Sequence, residues 1–297
     1  MAYLLLILTT LFWSGNFVLA RAMHLDLPPI TMAFSRWLLA LLIILPWLLP
    51  RLIRQRKVLW DNAGSLLFFG VVGVAGFNTQ VYIGLQDTSA TNAVLMQSMV
   101  PIMILVLGAL FLGERGSRKQ WLGVTLSFIG VAVLIARGDL QSLLGLEFNR
   151  GDLWIFGAVL VWSVYSLGLR WRPKGLDGFT FFGITVVVAV VVLAPLAWWE
   201  QTEVPTLEWQ MPMLLTVLYM AIFPSILAYL FWNRGVEELG ASVAGLFIHL
   251  MPVFGMLLSV IFLGEALHSF HLWGVVLIFA GIYLAVISDT LKRLKTN

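Results

Sequence analysis

The chain has 297 residues, of which 60% are hydrophobic and only 11% charged, and its mean hydropathy is +0.95. A soluble domain carries roughly 25% charge, so a water-solvated globule is excluded and the solvent is a lipid bilayer. The absence of cysteine excludes disulfides and thiolate metal sites, and the formal net charge of +3 says less than its distribution along the chain.

A bilayer core of about 30 Å calls for about 20 apolar residues per helix, and ten runs of that kind follow one another. They are too long for barrel strands and lack period-two alternation, so an all-α integral membrane protein with ten transmembrane helices is expected. The first run, residues 2–23, has no basic leader and carries Trp13, Ser14 and Asn16, which makes it a span and not a secretory signal. The second, 30–49, contains Arg36. That cation either meets a substrate carboxylate or gates a cavity, or it snorkels outward to a helix end. The third, 63–84, holds the polar cluster Asn78, Thr79, Gln80 and Tyr82, with Asn78 and Tyr82 one helical turn apart on a shared face. The fourth, 89–112, places Asn92, Gln97 and Ser98 before Pro101, and the fifth, 118–136, spaces Gly123 and Gly130 for close helix contact.

After the connection the pattern resumes. The sixth run, 152–170, carries Trp162, Tyr165 and Ser166; the seventh, 179–199, ends in the interfacial pair Trp198 and Trp199. The eighth, 211–232, carries Tyr229 and Trp232, with Asn233 one turn beyond Tyr229. The ninth, 240–263, places Ser242 and His249 before Pro252, and the tenth, 270–288, repeats the glycine spacing at Gly274 and Gly281.

The two halves are one stretch written twice. Pro101 followed by Phe111-Leu112-Gly113-Glu114 recurs 151 positions later as Pro252 followed by Phe262-Leu263-Gly264-Glu265. The same register sets Asn78 on Tyr229 and Tyr82 on Asn233, and a register two residues shorter sets Trp13-Ser14 on Trp162-Ser163 and Pro46 on Pro195. Five spans per copy force the second copy to be inverted, and transporters built this way place substrate at the repeat interface. The division expected is residues 1–137 as the first five-helix repeat, 138–151 as a periplasmic linker, and 152–297 as the second repeat.

Most of the 18 Lys and Arg follow the even-numbered spans, as at Arg51 to Lys57, Arg115 to Lys119, and Arg170 to Lys174, or close the chain. The opposite face collects Asp87, Asp139, Glu147, Asp152, Glu200, Glu203 and Glu208. The basic side is the cytoplasmic one, so both termini are expected there.

The polar stripes of spans 3 and 8 read either as a binding surface or as interhelical hydrogen bonding. Pro101 and Pro252 are matched hinges or static kinks. His249 titrates, contacts a ligand, or is a satisfied bundle residue. No carboxylate lies near the middle of a span, and there is no paired-carboxylate, HExxH or phosphate-loop pattern, which argues against a membrane enzyme or a primary pump.

Ten spans as inverted halves, Trp13-Ser14-Gly15-Asn16 in span 1, and the twice-used proline before Leu-Gly-Glu resemble the drug/metabolite transporter superfamily, in its EamA-type branch of bacterial exporters. The resemblance covers essentially the whole chain and is closest to amino-acid exporters, those for aromatic amino acids included. It implies a central cavity lined by spans 3, 4, 8 and 9 with parts of 1 and 6, while spans 5 and 10 stay peripheral. The substrate contacts it implies are Trp13, Asn16, Asn78, Tyr82, Gln97, Trp162, Tyr229 and His249; the polar and aromatic residues of the spans add Arg36 and Tyr165, and the paired prolines add Pro101 and Pro252 as hinges. The second copy has Val164-Tyr165 where the first has Gly15-Asn16, so the halves are not strictly equivalent.

The expectation is therefore a secondary transporter of the bacterial inner membrane. It would export small amphipathic metabolites, above all amino acids, by alternating access, with no cofactor, no metal and no nucleic-acid partner. Its partners would be the solute and membrane lipid, with the oligomeric state left open, monomer included. A multidrug exporter of the same fold and a channel-like facilitator are the alternatives.

Overall fold

A computed structural model describes residues 1–139, 149–204, 207–263 and 266–296, with the side chains of 259, 262, 263 and 287–296 left aside. Most of the expected linker, Gly145 and Glu147 with it, and Glu265 lie outside the described residues. Among the described residues ten helices are long and apolar enough to cross a membrane. They are α1 (Ala2–Ala22), α2 (Pro29–Arg54), α3 (Ala63–Asp87), α4 (Ala90–Leu112), α5 (Arg118–Ile135), α6 (Arg150–Trp171), α7 (Gly178–Glu203), α8 (Met211–Leu239), α9 (Ala241–Leu258) and α10 (Ser269–Val286). The last two run on to Leu263 and Thr296. Two differences from the sequence reading concern the basic end: α2 continues past Pro50 to Arg54, and a short helix, Arg56–Asp61, precedes α3.

Helix starts are set by side chains that satisfy free backbone amides. Ser117 with Gln120 and Asn149 with Asp152 form capping boxes on α5 and α6. Asp177 accepts from the amides of Phe179 and Thr180 at the start of α7. Partial burial pushes that carboxyl up, but hydrogen bonds from the Thr180 hydroxyl and from the two amides outweigh it and hold the group below its ordinary value. The start of α2 is capped from another helix, because the Glu200 carboxylate of α7 accepts from the amides of Ile30 and Thr31 and from the Thr31 hydroxyl. Inside the spans Thr9, Thr10, Ser98 and Ser163 turn their hydroxyls back to carbonyls one turn earlier, so these polar groups are satisfied without water.

The inverted repeat is visible in the backbone. A π-helical segment at Gly70–Gly76 of α3 recurs at Ala221–Leu227 of α8, the same register 151 residues on. α4 breaks between its pieces Ala90–Gln97 and Val100–Leu112, and α9 breaks at a 3-10 turn, Phe247–Leu250, before Met251–Leu263. Each proline thus stands in the first turn of a new helical piece, where its missing N–H leaves no intrahelical bond unmade.

Packing follows the same symmetry. α2 lies along α7 and α5 along α10, each beside its own counterpart, while α1 against α8 and α1 against α9 are matched by α6 against α3 and α6 against α4. The α5–α10 contact is built on glycine. A Cβ on Gly123 would stand 2.5 Å from the Gly281 carbonyl oxygen, and one on Gly130 would stand 2.7 Å from that of Gly274. The two contacts are the same contact seen from either half. Gly123→Val forces these backbones apart, so it should lower stability by about 1–3 kcal/mol, the usual range for overpacking. Thermal unfolding in detergent checks this; an unchanged midpoint would mean the helices do not meet at Gly123.

Candidate functional site

Where the two halves meet, counterpart residues touch each other. Asn78 of α3 donates to the hydroxyl of Tyr229 on α8 at 2.8 Å, and the ring of Trp13 on α1 meets that of Trp162 on α6 at 5.1 Å. The Nε2 of His249 lies 2.8 Å from the carbonyl of Ser98, its own counterpart in the first half. Residues related by a two-fold axis can touch only close to that axis, so these pairs mark the seam.

Arg36 of α2 is fully buried there, and its guanidinium turns inward and does not snorkel. Nε donates to Ser225 Oγ at 2.8 Å. Nη1 donates to Asn16 Oδ1 at 3.1 Å, to Asn78 Oδ1 at 2.9 Å, and to the Tyr82 hydroxyl. Among the described residues Nη2 has no hydrogen-bond partner. Every hydrogen-bond acceptor around this cation is neutral, and among the described residues no carboxylate pairs with it. A cation in the membrane interior ordinarily meets an anion; here dipoles hold it and one edge of the fork is left over.

The surrounding wall is aromatic. Trp162 packs against Phe77 at 4.6 Å, Tyr165 at 5.0 Å, Trp13 at 5.1 Å, Tyr229 at 5.3 Å and Trp232 at 5.4 Å between ring centroids. Trp37 sits edge-on to Tyr229 at 5.1 Å and carries the Arg36 guanidinium 4.9 Å above its ring. The π segments take part directly. A π segment displaces a carbonyl from its helical ladder, and in each segment the matching carbonyl accepts from a ring across the seam: Pro224 from Trp13 Nε1 at 3.2 Å, and Gly73 from the Tyr229 hydroxyl at 2.8 Å.

One hydrogen bond appears twice with its residues exchanged. Tyr82 of α3 donates to Asn16 of α1 at 2.9 Å, and Tyr165 of α6 donates to Asn233 of α8 at 2.8 Å. Tyr82 corresponds to Asn233, and Asn16 to Tyr165, so donor and acceptor have traded places between the copies. Arg36 joins the first bond. Its counterpart in the second half is Thr185, whose hydroxyl turns to the Phe182 carbonyl at 2.7 Å, so no cation joins the second.

Between these features lies a cavity of about 10 Å³, lined by Trp13, Asn16, Asn78, Gln97 and Trp162 among others, room for little more than one water. Among the described residues, the donors Trp162 Nε1 and Gln97 Nε2 have no hydrogen-bond partner. A much larger vestibule of about 900 Å³ opens at the end bearing the loops after α4, α6 and α8. At the opposite end the halves are tied by Thr88 to Asp152 at 2.6 Å, and within the first half Arg21 donates to the Leu85 carbonyl at 2.6 Å.

The structure therefore brings together Trp13, Asn16, Arg36, Asn78, Tyr82, Gln97, Trp162 and Tyr229 of the expected contacts. Tyr165 belongs to the same cluster but faces the vestibule side through Asn233. His249 stands apart. Its Nδ1 lies 2.6 Å from Ser127 Oγ and its Nε2 is taken by Ser98, so both ring nitrogens are occupied in a joint between the breaks of α4 and α9. That is the arrangement of a satisfied bundle residue. It also gives α5 a share in the seam through Ser127, although that helix was expected to be peripheral. Ser225, Gly73 and Pro224 were not singled out by the sequence. A proline and a serine side by side within span 8, Pro224-Ser225, are the signal that could have found two of them, and Gly73 carries none.

The model of the EamA-like transporter family matches residues 1–136 and 149–287. An uncharacterized transporter of Bacillus subtilis, YyaM, is 31% identical over 286 residues, covering 95% of this chain and 92% of its own. An uncharacterized transporter of Archaeoglobus fulgidus is 27% identical over 95% of this chain and 96% of its own. One solved crystal structure aligns with 99% of this chain and 98% of its own at a TM-score of 0.76 and 21% identity, a likeness of fold.

Proposed function

The chain belongs to the EamA-like transporter family, and from that premise we propose that it exports small amphipathic carboxylates, amino acids with aromatic side chains foremost, from the cytoplasm of a bacterium across its inner membrane. It is a multi-pass membrane transporter; the substrate, the direction and the cytoplasmic placement of both termini are our reading. One observation carries the choice of substrate. Arg36 is a buried cation with only neutral partners and a free Nη2, so the seam lacks one negative charge. A carboxylate supplies that charge and takes two guanidinium donors in a bidentate pair. The same cation disfavours the cationic drugs that an aromatic wall alone would admit.

The rings of Trp13, Trp162 and Tyr229 offer an apolar and polarisable wall for the remainder of the solute. Asn16, Asn78 and Tyr82, which hold Arg36 now, are the groups that would release it toward a bound carboxylate. The seam is collapsed here and open only toward the vestibule, so access to the other face requires the halves to exchange their packing, with Pro101 and Pro252 at the matched breaks of α4 and α9 as the bending points.

Counterflow of labelled L-phenylalanine in proteoliposomes tests this reading. The expected result is saturable exchange, inhibited by excess unlabelled L-phenylalanine and unaffected by an equal excess of phenethylamine, which has the ring without the carboxylate. Equal inhibition by the amine would overturn the choice of substrate. Flux without saturation would favour a channel-like facilitator.

A further inference from the structure

The vestibule is lined by two buried polar side chains whose donors the seam leaves unused. Ser166 of α6 is fully buried and Asn233 of α8 is 4% exposed, and both line the vestibule. Among the described residues, Ser166 Oγ and Asn233 Nδ2 have no hydrogen-bond partner. Ser163, three residues before Ser166, turns its hydroxyl back to the Val159 carbonyl at 2.7 Å; Ser166 does not make the equivalent bond. Asn233 cannot swing away, because Tyr165 donates to its Oδ1 and so fixes the amide with its N–H edge free. Two donors on the vestibule lining, from different helices, call for one acceptor-rich group.

The mouth supplies the matching charge. The vestibule is lined by Glu114, Arg115, Arg170, Arg172, Lys174, Glu237 and Glu238. Arg170 pairs with Glu114, Arg172 pairs with Glu237 at 2.7 Å, and Arg234 holds Glu238 at 2.6 Å. Among the described residues, Arg115 and Lys174 have no carboxylate at ion-pair distance. The carboxylates of the rim are thus engaged and two cations are left to attract an anion into the funnel.

We propose that the floor of the vestibule is a second binding site, in which Ser166 Oγ and Asn233 Nδ2 hold the carboxylate of an incoming aromatic solute before it reaches Arg36. This rests on the reading of the transported solute as a carboxylate. The site is neutral where the seam is cationic, so it binds more weakly and releases inward, the gradient a loading station requires.

The chain has no cysteine of its own, so one introduced in the vestibule wall reports occupancy without background. In Ser242→Cys protein in lipid nanodiscs, phenylacetate should slow maleimide labelling about fivefold or more, and phenethylamine should not. Adding Ser166→Ala or Asn233→Asp should reduce the protection to less than about twofold. Asn233→Asp keeps the acceptor for Tyr165, removes the donor and adds a charge that repels a carboxylate, so the neutral Ser166→Ala variant carries the test of the donors themselves; Ser166→Thr, which keeps the hydroxyl, should restore protection. Absence of protection, equal protection by phenethylamine, or full protection in both variants would overturn the site. L-phenylalanine counterflow on the same preparations separates the two readings. Protection without counterflow leaves the vestibule site standing and rejects the transported substrate; counterflow without protection rejects the vestibule site alone.

Discussion

Arg36→Met should reduce carboxylate transport more than 100-fold while leaving the unfolding midpoint unchanged or higher. The two effects have opposite origins. A charge held inside the membrane by neutral groups is costly, about 2.5–3.5 kcal/mol even on the mildest scale, and replacement of buried ionic groups by apolar ones of similar volume is often neutral or stabilising. The groups around Arg36 keep most of their bonds without it: Tyr82 still donates to Asn16, Asn78 to Tyr229, and Ser225 to the Met220 carbonyl. Transport, by contrast, loses the only cation at the seam among the described residues. Arg36→Lys keeps the charge but not the fork, so an intermediate loss is expected. Counterflow and thermal unfolding on one preparation check both halves of the prediction. A midpoint that collapses with activity would make Arg36 a structural residue.

Trp162→Ala should be among the most destabilising single changes in the seam. The ring is fully buried and lies within ring-contact distance of five other aromatic side chains. Truncating a buried tryptophan typically costs about 3–5 kcal/mol, cavity included. For a soluble chain of this size that corresponds to a midpoint shift on the order of 10 °C. Trp162→Phe keeps a flat ring and should lose less than half as much. Thermal unfolding in detergent or nanodiscs measures it. A shift under about 2 °C for the alanine variant would show that the cluster packs loosely and that the wall is not preformed.

The span count, the duplication and most of the seam were legible because each leaves a mark on side-chain letters. Apolar runs of membrane length set α1 to α10, and the repeated Pro–Leu-Gly-Glu pattern set the register that places Asn78 against Tyr229. Arg36, Asn78, Tyr82 and Tyr229 stood out because polar groups in a span have few places to go. The π segments left no such mark. One widened turn in α3 and α8 does not interrupt an apolar run, and the carbonyls of Gly73 and Pro224 that it frees belong to the backbone, which every residue shares.

His249 shows a second limit. A histidine before a proline reads equally as a ligand or as a filler, and the answer depends on Ser127 and the Ser98 carbonyl, which come from other helices. The vestibule was hidden for a similar reason. Ser166 and Asn233 matter because partners are missing from around them, and a missing partner is a property of the fold.

Recognition of a carboxylate by Arg36 at the seam between inverted halves is the central proposal. The most direct measurement is competition for L-phenylalanine counterflow by 3-phenylpropionate and by its methyl ester, in the wild-type protein and in Arg36→Met. The predicted result is that the acid competes at least 100-fold better than the ester in the wild type and that this preference falls below about threefold in the variant, read from residual counterflow at high protein loading. A wild-type protein indifferent to the charge, or a variant that keeps the preference, would contradict it.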